Sequence, residues 1–523
     1  MKQYICGLKC LFLLLCSTLL FVFTIQAQET TGGLRGRITD EKKTALPGVT
    51  ITLVHTPSGT RYGTVTAADG RYSFNGLRIG GPYQLKVTYI GMEAQERNEE
   101  QISLGQNLTL NFTLKVGASQ LKGVEIKGGR NNKTDLKGAG QHIGEDKMKN
   151  MPAIARSMQD ITRSIPQASK DNNFLGSNFR YNNVTIDGAI NNDAIGFSPS
   201  AGGITGSSGM PGASTRSNAI SLDAIQAMQV YLAPYNVKIG NFTGGSVNAV
   251  TRSGTNETEG SVYFFGRNAA ITGRDQAGSQ GKMPSAFKDY QAGLRLGFPI
   301  IKNKLFFFTN GEITRRTDPV QLEAGNKDEA AVLSKADAEQ ISQVLTNRYN
   351  FNPGTYQQFN ANGNSVKFFN KVDWNINDNH HLSIRNNTLF SDAVNMERDQ
   401  QNFRFGSMAY KQTNNQTSTV AELNSRLNQR ISNTLILSYA SIHDYRTPTS
   451  DPAFPQVQIV GRTPGTTIFL GTDREASIFD MKQRTFEITN NLEINLGKHH
   501  LTVGTHNELY KITYGFVNAW NGR

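Results

Sequence analysis

Cysteine is nearly missing from these 523 residues: there are 3, at Cys6, Cys10 and Cys16, all within the first 27 positions. Without that segment the chain carries no thiol, which excludes a disulfide framework and a cysteine metal site. Long apolar runs are missing too. Beyond the N-terminus no stretch approaches the roughly 20 apolar residues of a spanning helix. With a mean hydropathy of −0.43, a helical membrane protein is excluded. That test does not reach a transmembrane β-barrel, whose lipid-facing and lumen-facing residues alternate so that the average stays polar. Nor is there a block of one charge. The formal net charge is +12, but Lys and Arg are scattered among Asp and Glu, which argues against nucleic-acid binding. Catalytic signatures are absent as well. There is no G-x-S-x-G elbow and no His-Glu-x-x-His helix, and 278–283 lacks the spacing and the Ser/Thr of a phosphate loop. The sequence therefore reads as a non-enzyme with no cofactor and no metal site.

What is present falls into segments. Residues 1–27 have the form of an export signal: Lys2 and Lys9, an apolar run from Leu11 to Ile25, and the small-residue exit Ile25-Gln-Ala27. Its removal leaves a net charge of +10. Residues 33–116 carry short alternating strands, such as Val49 to Val54, punctuated by turns at Pro57-Ser-Gly59 and Asp69-Gly70. That spacing predicts an immunoglobulin-like β-sandwich. Residues 117–137 read as a linker around the extended run Leu121-Lys122-Gly123-Val124-Glu125-Ile126-Lys127. Such a run, between flexible flanks, is able to add as a strand to another protein's sheet.

Residues 138–258 mix both periods. A helix is predicted over 146–164, and a short helix feeding a strand over 221–231, capped by Ser221 or Asp223. Two strand runs stand beside tight turns. One ends in Asp187-Gly188; the other contains Gly244, Gly245, Asn248, Thr251 and Arg252. Between them lies a Gly/Ser-rich segment, 196–217, including Gly196, Phe197, Ser198, Gly209, Met210 and Arg216.

From 259 to 523 the rhythm changes. Nine strands are predicted, at 259–268, 290–299, 304–315, 365–376, 381–391, 418–431, 434–445, 483–496 and 501–515. Their lengths suit a tilted strand crossing a bilayer. The connections alternate: tight at 300–303, 377–380, 432–433 and 497–499, long and polar at 269–289, 316–364, 392–417 and 446–482. An outer-membrane barrel sorts its turns and loops in this way. The pairs His380-His381 and His499-His500 open strands, where adjacent side chains point to opposite faces, so they read as structural rather than metal-binding. Phe264-Phe265 and Phe306 to Phe308 read as lipid-facing or girdle aromatics.

Two resemblances follow from these residues. Leu46-Pro-Gly-Val49, Thr66 to Phe74, Gly80-Gly-Pro-Tyr83 and Tyr89-Ile-Gly91 resemble the carboxypeptidase regulatory-like domain, a non-catalytic module. The Val184-Thr-Ile-Asp187-Gly188 run and the pattern from Gly244-Gly245 to Thr251-Arg252 resemble the plug of a TonB-dependent outer-membrane receptor, most like its Oar branch. The resemblance places the TonB box at Leu121–Lys127 and implies a mainly β architecture: sandwich, α+β plug and antiparallel transmembrane barrel. It also implies about 22 barrel strands, so nine are expected to be an incomplete barrel from a longer, C-terminally truncated receptor. The implied partners are TonB with its inner-membrane energising complex, outer-membrane lipid and a transported ligand that no motif identifies. The implied site is the cell outer membrane, with the N-terminal domain in the periplasm. A passive or adhesive surface barrel is the alternative; it accounts for the loops but not for the plug or the extended run.

Overall fold

The computed structural model describes residues 29–117, 124–125 and 138–515, apart from 152, 154–155, 170–172, 193–211, 235, 274–284, 321, 326–331 and 498. The first eight strands are β1 (Gly32–Asp40), β2 (Thr50–His55), β3 (Thr60–Val65), β4 (Arg71–Leu77), β5 (Gly80–Thr88), β6 (Gln95–Ile102), β7 (Asn107–Thr109) and β8 (Phe112–Leu114). They form two sheets. One has the order β4-β1-β7 with β8 also on β1, and the other runs β3-β2-β5-β6. Val49, Ile51 and Leu53 alternate inward and share a core with Leu34, Phe74, Leu85 and Phe112. The sandwich is as predicted. The apolar run Leu108 to Leu114 that closes it is split into β7 and β8, both parallel to β1.

Next come β9 (Val124–Glu125), β10 (Gly138–Ile143), β11 (Asn183–Ile186), β12 (Ala189–Ile190), β13 (Ile225–Pro234) and β14 (Ser246–Thr251). The last five form one sheet, β10-β13-β14-β11-β12. The helix predicted over 146–164 is instead two short helices, Glu145–Asn150 and Met158–Thr162. The break has a local cause. Met151 precedes Pro152, and a residue before proline is driven out of the helical region; its ψ is 137°. The expectation of a helix within 221–231 is also corrected. Only a 3-10 turn, Leu222–Ala224, precedes β13, because β13 lies between β10 and β14 and both neighbours claim its backbone. Ser221 does cap that turn, accepting from the Asp223 amide at 3.3 Å.

The remaining strands are β15 (Glu259–Asn268), β16 (Lys288–Ile301), β17 (Leu305–Val320), β18 (Phe359–Asn377), β19 (His380–Asn395), β20 (Asn402–Arg404), β21 (Tyr410–Arg426), β22 (Ile431–Pro448), β23 (Val457–Val460), β24 (Thr467–Leu470), β25 (Asp480–Leu496) and β26 (His499–Gly515). Nine of them make one antiparallel sheet, β15-β16-β17-β18-β19-β21-β22-β25-β26, each beside its sequence neighbour in that series. These are the nine predicted strands, longer at most ends. One turn is corrected. It falls at 427–430 rather than 432–433, because the Asn428 side chain accepts from the amides of Arg430 and Ile431 at 2.8 and 2.9 Å and closes the chain there.

The polarity of this sheet is inverted relative to a soluble protein. One face carries exposed Val262, Phe264, Leu294, Ile384, Phe390, Tyr439, Val503 and Leu509. The other buries Glu312, Lys367, Lys371, Asp373, Arg385 and Glu487, all at 7% exposure or less. Apolar outward and polar inward is the pattern of a strand wall in lipid. Period 2 also corrects the reading of the aromatics. Phe306 and Phe308 point inward and are buried; Phe308 packs against Phe369 at 6.0 Å within the plug's core. Phe265 likewise points inward, where the Arg156 guanidinium lies 3.7 Å from its ring centroid.

At the long-loop end, β20, β24 and β23 form a small sheet of their own. With helix Lys335–Tyr349 it encloses a separate core around Leu345, Phe403, Phe405 and Ile468. Phe351 stacks on Phe454 at 3.7 Å, and Arg398 donates to the carbonyls of Leu322, Thr355, Gln357 and Arg404.

Candidate functional site

The two sequence motifs meet in space. β11 runs parallel to β14, with Asn183 opposite Ser246 and Ile186 opposite Ala249. At the end of β11, Asp187 and Gly188 both have positive φ, 47° and 73°. That is the geometry of a tight hairpin turn, tolerated by Asp and free for Gly, and it returns the chain into β12. The turn aims the Asp187 carboxylate at the end of β14. There it accepts from the Thr251 amide at 2.8 Å and the Thr251 hydroxyl at 2.6 Å. Gly244 and Gly245 sit where the chain enters β14. A Cβ on Gly245 would stand 2.6 Å from the Phe174 ring, and one on Gly244 would stand 2.4 Å from Asn182 Oδ1. Asn248 accepts from the Thr185 hydroxyl at 3.0 Å, tying the two strands by side chains as well. Arg252 bonds Glu145 at 2.9 Å and the Asp223 carbonyl at 3.0 Å.

The inward face of the large sheet contacts this unit from β15 at one edge to β26 at the other. Arg385 on β19 lies 3.2 Å from Asp187 and donates to the Ile186 carbonyl at 2.5 Å. Lys371 on β18 reaches the Thr251 hydroxyl at 3.2 Å. Burial pushes the Asp187 carboxyl upward, but Lys371, Arg385 and the two Thr251 donors outweigh it and hold it below the usual carboxylate range. Glu312 on β17 accepts from Ser221 at 2.8 Å, Tyr263 at 3.0 Å and Lys367 at 2.7 Å. On β22, Asp444 accepts from Ser214 at 2.9 Å, and on β25, Glu487 accepts from the Ile190 amide at 3.1 Å. At the last strand Asn241 donates to Glu508 at 3.1 Å. The mixed unit is thus a plug held within the curve of the sheet, mainly by charged and polar contacts. Lys238 also joins it to the wall, pairing with Glu493; burial lowers its pKa, and Glu493 and Glu29 more than reverse that.

The remaining predicted residues fall as follows. Of Leu121–Lys127 only Val124 and Glu125 lie within the described residues. They run parallel to β6, Val124 opposite Gln95 and Glu125 opposite Glu96. Gly196, Phe197, Ser198, Gly209 and Met210 lie outside the described residues. Arg216 is described, with φ 58°. Its guanidinium sits 3.2 Å from Asp318 and donates to Asn395 at 2.8 Å, so it joins the plug to the wall. Sequence reasoning missed the wall partners Glu312, Lys367, Lys371, Arg385 and Glu487. Their signal was available: each is a charge at an inward position of an alternating strand. The histidines of the paired motifs make local bonds, His380 to Ser425 at 2.9 Å and His500 to Asn495 at 2.6 Å. A cavity of about 750 Å3 lies between the plug and β15–β16, bordered by Arg156, Arg252, Phe265, Arg267 and Asp289.

The carboxypeptidase regulatory-like domain family matches residues 33–115, and an outer membrane beta barrel domain family matches 250–350. The TonB-dependent transporter Oar of Myxococcus xanthus is 26% identical over 240 residues, 44% of this chain and 20% of that protein. The match therefore spans about a fifth of that relative's length. Among solved structures, the outer membrane transporter YddB from Escherichia coli aligns with TM-score 0.48 at 12% identity, over 69% of this chain and 47% of that one. The siderophore receptor PirA from Pseudomonas aeruginosa aligns with TM-score 0.43 at 12% identity, over 72% and 48%. In its regulatory-like sandwich, its plug motifs and its barrel wall, the chain is similar to the TonB-dependent outer-membrane receptors.

Proposed function

We propose that this receptor carries a ligand across the outer membrane by TonB-dependent active transport. The observation that carries the reading is the plug, seated inside the curved sheet on hydrogen bonds and ion pairs. Polar contacts of that kind are re-made with water or other partners when the plug shifts, whereas a mainly apolar seal would resist displacement. The outward apolar face is bathed in outer-membrane lipid. The tight-turn end and the N-terminal sandwich face the periplasm, and the long loops face the exterior. Ligand gathered by those loops meets the plug at the glycine-rich segment, including Gly196 to Ser198, Gly209 and Met210. TonB, energised by its inner-membrane complex, pairs edge to edge with Leu121–Lys127 and pulls. The cavity beside β15 and β16 then widens into a passage. No chemistry on the ligand is required.

Growth of a deletion strain on defined nutrients identifies the ligand. Removing 120–127 from the full-length receptor then abolishes uptake and leaves ligand binding intact. Uptake that persists without those residues, or with the proton gradient collapsed, leaves a passive or adhesive barrel as the answer.

A further inference from the structure

The N-terminal sandwich is seated on the tight-turn end of the barrel sheet. Around the rim the contacts are polar. Asn375 at the end of β18 donates to the Thr60 hydroxyl at 2.9 Å, and Arg426 at the end of β21 donates to the Gly63 carbonyl. Asn75 donates to Ser432 of β22 at 3.3 Å, and Asn495 of β25 donates to Ser73 at 2.8 Å. At the centre the contact is dry. Ile79 and Leu104 of the sandwich pack on Ala227 and Val250 of the plug, all four at 6% exposure or less. Beside them Arg78 reaches inside the wall to Asp373 of β18, at 3.0 Å. Asp373 is 3% exposed.

We infer that the sandwich is a second gate, closing the tight-turn mouth beneath the plug and latched by the Arg78–Asp373 pair. The inference rests on the transport reading. A passage opened between plug and wall leads down to the strand ends of β18, β21, β22 and β25 that the sandwich covers, so cargo taking that route leaves when the sandwich does. The contact is built to release. Its apolar centre is four residues, and a buried ion pair returns in attraction little more than its desolvation costs, while fixing the register of the surfaces that meet. The chain order suits the role. The sandwich precedes residues 117–137 and the plug follows them, so tension applied between reaches both bodies.

The test uses the full-length receptor in its native outer membrane. The 3 cysteines of these 523 residues all lie in the export signal; any cysteine elsewhere in the full-length receptor is first replaced by serine, so that the introduced thiol is the one that reports. Ala227→Cys and, separately, the near-isosteric Val250→Cys place that thiol under the sandwich. The probe is a small maleimide that enters the periplasm. The gate predicts protection in cells lacking TonB and labelling in growing cells that contain it. In receptor without TonB, Arg78→Ala should raise the labelling rate about tenfold, the factor that 1.4 kcal/mol of lost docking corresponds to. Equal labelling with and without TonB overturns the gate. So does protection in both when purified TonB periplasmic domain binds the receptor. Failure of that domain to bind at all brings down the transport reading, and the gate with it.

Discussion

Replacing Arg385 by methionine tests what holds the plug. Methionine keeps length and removes charge. Asp187 then stays buried with Lys371 and Thr251 but without its nearest cation. The side chains of Arg385 and Asp187 are 3% and 6% exposed, so solvent screening is slight. Breaking a buried pair from one side costs about 3–5 kcal/mol, and the surviving Lys371 argues for the lower end. The assay is urea-dependent hydrogen exchange of β11 and β14 in the full-length receptor. Asp187→Asn keeps the positive-φ turn, and the double variant should recover part of the loss, because the uncompensated charge is gone. The pH dependence follows with its sign. Asp187 is depressed in the folded protein, so its stabilisation is present above the unfolded value, about 3.9, and disappears as pH falls through the folded value. Wild type therefore loosens only in strong acid, and Arg385→Met begins to loosen at higher pH. A cost below about 1 kcal/mol, or a double variant no better than the single, refutes the claim that this pair anchors the plug.

Three more outcomes are expected. Gly245→Ala drives a Cβ to 2.6 Å from the Phe174 ring; overpacking of this kind costs about 1–3 kcal/mol, read as faster exchange in β14. Phe308→Ala empties a buried site between plug and wall and should lower plug stability by about 3–5 kcal/mol, read as a lower urea midpoint for plug exchange with the barrel intact. His55 is held near a pKa of about 3, first by burial and then by Arg78. Its neutral form is the folded one, so the sandwich keeps full stability above the unfolded value near 6.5 and loses about 1.4 kcal/mol per pH unit below it. Exchange in β2 and β5 between pH 7 and 5 measures the slope, and His55→Gln should flatten it.

The barrel wall was legible because period 2 is a local signal: Val372 and Trp374, or Leu435 and Leu437, announce a face without any partner. The hairpin at Asp187-Gly188 was legible for the same reason, since turn chemistry needs only two residues. The broken helix was not. Met148, Met151, Ile154 and Met158 keep a helical spacing, and the one residue that interrupts them, Pro152, is also compatible with a helix's first turn. Phe264 lies on the outward face as expected, but Phe265, Phe306 and Phe308 were misassigned because composition was read before alternation; three consecutive Phe on a strand cannot share a face. The ion pairs joining plug to wall link residues such as Asp187 and Arg385 that stand far apart in sequence. A pattern can mark Arg385 as inward, but only the fold says what it meets.

The cap at the long-loop end carries a consequence for how this surface diverges. Its three loops share one dry centre, and a single guanidinium, that of Arg398, clasps carbonyls from separate segments. A substitution inside that centre in one loop obliges its neighbours to accommodate it. Outlying positions such as Val460 and Tyr349, 80% and 62% exposed, carry no such obligation, so a substitution there leaves the frame beneath untouched.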